Sequence, residues 1–314
     1  MIVFVARRVG LGVAILMVVA LMLFAMMHLI PGDPTVVALG PRSTPEMRLA
    51  FREMMGLDRP LYEQFGLFLG RLAAGDLGTD LWSRRPVALM VFEMLPFTVT
   101  LALTSLVWAV GLGVVLGAVA ATNRDRWPDW AIGLVSVGFV AVPSFVVALY
   151  SLLVFAVALN WLPAIGAGEA GNLGSRLAAL VLPSFAIGLG WVGYVARLVR
   201  ASMIEALDEP YVRTLRAFGV AERRIVFRYA LRQALVAVVS VIAVGFGGLL
   251  TGSVFAEIVF SRPGLGKMTY DAVMSRNFPV VMGTVLVTAA LYVLCMILAD
   301  IVVAALDPRV RRAL

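Results

Sequence analysis

The sequence predicts an all-α integral membrane protein with six transmembrane helices. Three observations carry that expectation. The 314 residues are 61% hydrophobic and only 14% charged, against roughly 45–50% and about 25% in a soluble domain. The apolar residues fall into six runs, near 9–30, 97–121, 130–159, 177–196, 233–256 and 280–306. Each is long enough to cross a hydrocarbon core of ~30 Å at ~1.5 Å per residue. The arginines between the runs are unevenly shared, as topology requires. A net charge of +7 could suit nucleic acid, but the basic residues are dispersed among apolar blocks, so nucleic acid is not an expected partner.

The first run follows Arg7 and Arg8 and could pass for a signal peptide. It is too long for that, and no small-x-small cleavage site follows, so it reads as an uncleaved first helix. The segment between the first two runs is mixed. "TPEMRLAFREMMG" has Thr44 as N-cap, Pro45 in the first turn and Gly56 past the end; "DRPLYEQFGLFLGRLAAG" repeats that grammar with Asp58, Pro60 and Gly75. Leu61, Phe65, Phe68 and Leu72 share one face of this second helix, and "SRRPVALMVFEML" leads amphipathically into the second run. The segment either binds a partner or caps the bundle at the interface. The chain divides accordingly into 1–96, the first helix with its helical outer segment, and 97–314, a core of five spans.

With the N-terminus in the cytoplasm, the inside segments 1–8, 122–129, 197–232 and 307–314 hold 15 Arg against 7 acids. The outside segments hold 11 basic against 11 acidic residues. The positive-inside rule fixes this orientation, with both termini cytoplasmic. Inside the spans, Gly113/Gly117 and Gly248/Gly252 are four apart, as close helix approach needs, and Pro143 and Pro183 are expected to interrupt helices. Glu257 and Asp300 lie near helix ends, where water or headgroups can solvate them, and His28 near the outer end of the first span. None forms the midplane relay of an ion-coupled carrier.

The inside segment from Arg197 to Arg232 carries the most information, with 8 Arg and 4 acids. The fourth span continues as helix through "RLVRASMIEAL". Asp208 or Glu209 can cap a new start, and Pro210 suits a first helical position. Residues 210–218 then form a helix about 13 Å long, stopped by Gly219. Tyr211, Leu215 and Phe218 make one apolar stripe, with Arg213 and Arg216 elsewhere around it. "AERRIVFRYALRQAL" runs as helix into the fifth span. On these residues alone two readings stand: a plug for a groove on another protein, or a helix lying on anionic membrane lipids.

The loop resembles the cytoplasmic Glu-Ala-Ala-x3-Gly signature of permease subunits of ABC importers. More narrowly, the chain resembles the first permease of the dipeptide, oligopeptide, nickel and glutathione importers. The matching stretches run end to end: "PGDP" (31–34), "GLDRPLYEQF" (56–65), "GDLGTDLWSRRPV" (75–87), "EALDEPYVRTLRAFG" (205–219), "RPGLGKM" (262–268), "RNFPVVMG" (276–283) and "DPRVR" (307–311). Thr214, Arg216, Ala217 and Gly219 match the signature; Leu215 stands where a small residue is usual and Phe218 where Lys is frequent. The resemblance implies a type I importer fold in the bacterial inner membrane. It implies a coupling helix, with Glu205, Asp208, Tyr211, Arg213, Thr214, Leu215, Arg216, Phe218 and Gly219 serving contact with ATP-binding subunits. The implied partners are two such subunits, a second homologous permease and a periplasmic or lipid-anchored solute-binding protein. Peptide-type cargo is expected, with glutathione ahead of nickel given a single His.

"PGLGKM" has the look of a phosphate loop, but Met268 stands where Ser or Thr is needed after Lys267, the only lysine. With one His and one Cys, most catalytic and metal-ligand constellations are excluded. No enzyme activity and no cofactor is expected. The rival class is a self-contained secondary transporter or channel, set apart by the docking helix and the missing relay.

Overall fold

The computed structural model describes residues 2–29, 44–46 and 59–306. Most of the helix expected at 44–56, the "PGDP" stretch and the tail 307–314 lie outside the described residues. The helices are α1 Ile2–Leu29, α2 Leu61–Ala73, α3 Val87–Thr122, α4 Trp127–Ala141, α5 Ser144–Ala158, α6 Leu173–Asp208, α7 Pro210–Ala217, α8 Leu231–Val259, α9 Leu265–Met274 and α10 Phe278–Leu306. Among the described residues there are no strands, only an isolated bridge between Thr79 and Pro86.

All six apolar runs lie in helices. α1, α3, α6 and α10 are each long and apolar enough to span alone; α4 and α5 count as one broken span. The sixth, α8, is 29 residues long and holds the apolar run 233–256. Two of the helices, α3 and α6, extend about ten residues past their apolar runs at one end. α3 starts at Val87, and α6 continues to Asp208 as the sequence suggested. α8 is entered through Glu222–Arg224 and a π-helical stretch, Ile225–Ala230; α5 likewise ends in π-helical turns, Leu152–Ala158.

The two prolines singled out behave differently. α4 and α5 meet at a 96° bend. Val142 is extended (φ −84°, ψ 122°), the conformation that a following proline favours. Pro183, expected to interrupt α6, sits inside an unbroken helix. Just beyond it, Trp108 Nε1 of α3 donates to the Ser184 carbonyl at 3.1 Å, and Gly188 leaves room for the Trp108 ring. Proline is tolerated inside membrane helices that neighbouring helices pack against.

α6 is the hub, packed by α3, α4, α5 and α8. Lipid tails are as apolar as leucine, so association inside a bilayer depends on close packing by small residues. The glycine pair of α3 works so. A Cβ at Gly113 would lie 2.7 Å from Val195 Cβ, and one at Gly117 2.5 Å from the Ala196 carbonyl. Of the pair on α8, Gly248 makes room for Trp191, whereas Gly252 is not pressed. α1 lies along α10, tied at one end by Arg8 to Asp300 at 3.1 Å. At the other end Phe24 meets Phe65 and Phe68 of α2, with ring centroids 5.3 and 6.0 Å away. α2 therefore caps α1 and α10 through Phe65, Phe68, Leu69 and Leu72, while Leu61 faces outward. The bundle has two ends: one carries α7, the other α2 and α9.

Candidate functional site

The short helix appears where the sequence puts it. Pro210 opens α7 at its first position and Glu209 occupies the N-cap without a side-chain cap bond. Asp208 is not a cap either, because it pairs with Arg124 at 2.9 Å. Phe218 ends the helix and Gly219 turns left-handed at φ +75°. The Gly219 N–H reaches the Arg216 carbonyl and the Val220 N–H the Leu215 carbonyl, the paired bonds of a Schellman stop.

The anchor of α7 was not legible in the sequence: Val212 is completely buried. The expected stripe is turned aside from it. Phe218 is 82% exposed, Leu215 is half-buried, and Tyr211 is exposed along one edge. The Tyr211 hydroxyl donates to Gln233 Oε1 at 3.4 Å, tying α7 to α8. Glu205, Arg213 and Thr214 are also exposed.

Charge pairs surround this helix. Arg216 donates to both oxygens of Glu222, at 3.1 and 2.7 Å. Those bonds hold the Glu222 carboxyl below its ordinary range. Arg200 of α6 forks onto the buried Asp129 at 2.5 and 2.6 Å, a pair the sequence gave no means to foresee. A cavity of about 260 Å³ lies between α3, α6 and α7, edged by Arg124, Asp208, Arg216 and Glu222. α7 is thus a small, firmly placed platform presenting aromatic and basic groups.

The opposite end holds a second constellation. Glu257, expected to be solvated at a helix end, is fully buried. Its Oε1 accepts the Thr98 hydroxyl of α3 at 2.7 Å, and its Oε2 accepts the N–H groups of Gly266 and Lys267 at 2.8 and 3.1 Å. The Thr98 oxygen in turn accepts the Leu265 N–H at 2.8 Å. The turn that looked like a phosphate loop does gather an acidic group with its N–H groups, and that group is the chain's own Glu257 side chain. Gly264 is required by close approach, not by its extended backbone, because a Cβ there would run into the Glu257 carboxyl. The buried Arg262 lies over Phe97 at 5.9 Å and interacts electrostatically with Glu257.

The far end of α9 is also tied. The buried Asp80 accepts the Asn277 side-chain amide and both the N–H and hydroxyl of Ser83. Burial alone would raise this carboxyl; those donors outweigh it and hold it below its ordinary range. A pocket of about 410 Å³ opens beside it, with Trp82, Arg85, Glu93, Lys267 and Asp271. Among the described residues no three His, Cys, Asp or Glu side chains are placed to hold a metal ion.

Two family patterns match the chain: the inner membrane component of binding-protein-dependent transport systems over residues 113–312, and its N-terminal counterpart over 1–102. The glutathione transport system permease protein of Escherichia coli K12 is 36% identical over 305 residues, 97% of either chain. A putative peptide transport system permease protein of Brucella abortus is 37% identical over 308 residues, covering 97% of this chain and 98% of that one. Among solved structures, an inward-facing MetNI methionine ABC transporter aligns with TM-score 0.56 at 18% identity, covering 69% of this chain and 96% of that one.

Proposed function

The chain belongs to the binding-protein-dependent transport system inner membrane components, and on that premise we propose that it carries small peptides of glutathione or dipeptide size into the cell. It is a multi-pass permease subunit of the ABC type. In our reading it sits in the bacterial inner membrane with α7 facing the cytoplasm. The arginine-rich loops around α7 and the near-neutral segments around α2 and α9 support that orientation. Two ATP-binding subunits, a second homologous permease and a solute-binding protein complete the assembly, and residues 1–96 serve as an outer addition to the core 97–314.

The single observation that carries the mechanism is α7 itself. It is rooted by Val212 and by its bond to α8, yet it offers Phe218 almost wholly to solvent. Such a helix transmits force in both directions: a partner that grips Phe218, Leu215 and Tyr211 moves α6 and α8 with it. Glu205, Asp208, Arg213, Thr214, Arg216 and Gly219 complete this coupling surface, partly by fixing the helix and partly by contact. ATP closes the two ATPases, α7 is carried along, and the path changes the side to which it opens.

The test is uptake of labelled glutathione and of a labelled dipeptide into proteoliposomes that hold the chain with its co-purified ATP-binding subunits. Uptake should need ATP inside the compartment of the ATPases and should survive collapse of the proton gradient. Uptake that follows the proton gradient and ignores ATP would return the secondary-carrier reading. Glu257 does not serve as that carrier's relay, because both its oxygens are committed to three protein donors.

A further inference from the structure

The carboxylate of Glu257 joins three helices at a single point. Of the four N–H groups that a helix leaves unpaired at its start, α9 satisfies three outside itself: Leu265 on Thr98, and Gly266 and Lys267 on Glu257. The Met268 N–H, next in line, bonds the Gly264 carbonyl. The Thr98 hydroxyl donates to Glu257 while accepting from Leu265, so every proton in the cluster has a fixed direction. The carboxyl also stands at the positive end of α9, the end that favours acidic side chains. Beneath α9 lies an apolar cavity of about 580 Å³, roofed by Leu265, Thr269, Tyr270 and Val273 and floored by α8 and α10. The other end of α9 is held separately by Asp80 and Asn277.

We infer that Glu257 and Thr98 form a latch that makes α9 a rigid outer lid, moving as one body with the outer ends of α3 and α8. This rests on the importer reading, in which the outer ends of the two permease subunits part when the path opens outward. Glu257 is a positioning residue here: it touches no substrate, and it acts by setting where α9 stands. The design explains why the turn needs both glycines. A Cβ at Gly264 would meet the Glu257 carboxyl, and one at Gly266 would lie 2.6 Å from the Val254 backbone and 2.9 Å from Glu257 Oε2.

The latch is tested by reading the position of α9 directly. Cys295→Ser removes the only cysteine, and Leu265→Cys places a probe at a site that is 1% exposed. In nanodiscs a polar maleimide reaches both faces, so labelling is independent of transport. Glu257→Ala should speed labelling of Leu265→Cys by about tenfold or more, since three hydrogen bonds are lost and three buried donors are left without a partner. Glu257→Gln should stay within about threefold, because its oxygen can still accept the two N–H groups and its amide can donate to Thr98. Thr98→Val, which keeps shape and cannot misfold through a cavity, should speed labelling as Glu257→Ala does, and Thr98→Ser should restore it.

In the assembled transporter, Glu257→Ala and Thr98→Val should hydrolyse ATP without stimulation by the solute-binding protein. A role confined to folding predicts less folded protein with unchanged labelling of what remains. Unchanged labelling in both Glu257→Ala and Thr98→Val overturns the latch. Faster labelling together with wild-type proteoliposomes that show no ATP-driven uptake would keep the latch and remove the importer reading instead.

Discussion

Phe218 offers the sharpest quantitative test of the coupling assignment. Fully burying a phenylalanine side chain contributes about 1.5–3 kcal/mol. At 82% exposure nearly all of that is still available to a partner, or about 1.2–2.5 kcal/mol by proportion. Phe218→Ala should therefore weaken binding of the ATP-binding subunits by roughly tenfold to sixtyfold. Phe218→Asp should be worse, because it adds an unpaired charge to an apolar contact. The free chain should not notice either change: exposed substitutions usually stay within about 0.5 kcal/mol, so membrane insertion and melting temperature should hold.

The assay is a titration of purified ATP-binding subunits against detergent-solubilised chain, read as the fraction retained on the tagged permease. Arg213→Glu in the same detergent is the comparison. The membrane-surface alternative expects Arg213→Glu to do the damage, and only with anionic lipid present. Wild-type retention and full transport with Phe218→Asp would refute the reasoning at its centre.

Other outcomes follow from the same geometry. Gly219→Val forces a β-branched residue to φ +75°; it should cost about 1–3 kcal/mol of local strain and reduce retention of the ATP-binding subunits without blocking insertion. Gly117→Val would drive a side chain into the Ala196 carbonyl and Val199, and overpacking of about 1–3 kcal/mol should appear as a lower melting temperature in detergent. The folded Asp80 carboxyl is held below its ordinary value, so its contribution is complete above about pH 4 and fades as pH falls through the folded value. The melting temperature should be flat from neutrality to mild acid, Asp80→Asn should lower it at pH 7 by the equivalent of roughly 1.5–3 kcal/mol, and the two proteins should converge in stronger acid. Reporter fusions after Arg126 and Arg224 should read cytoplasmic, and fusions within 58–80 periplasmic; the reverse would remove the orientation and the coupling argument with it.

What the sequence revealed follows the reach of its signals. Helices were legible because runs of twenty apolar residues have few other uses, and α7 because proline and glycine punctuate both its ends. The bend at Pro143 was legible, but the continuity at Pro183 was not: its neighbourhood includes Trp108, 75 positions earlier in the chain. Val212 is the buried anchor of α7, yet nothing in the pattern sets it apart from its aromatic neighbours. Glu257 differs from its expectation for a related reason. Nearness to the helix end suggests water, whereas the glycines at 264 and 266 are the clue that backbone N–H groups fold back onto a nearby acid. Asp129 with Arg200, 71 positions apart, left no local trace.

The π-helical turns Ile225–Ala230, at the root of α8, carry a consequence for inheritance by insertion and deletion. A π turn is an α-helix that has accommodated extra chain. Removing one residue there would let the segment relax to ordinary α geometry without breaking the helix. The helix beyond would keep nearly the same face toward its neighbours, because the residue removed is the one that the wider turn had absorbed. The same deletion within a purely α segment would turn everything beyond by about 100°, the angular step of a 3.6-residue turn, and would take Gly248 from Trp191 and Glu257 from Thr98. The bulge is therefore the one place at the root of α8 where a change of length need not become a change of face.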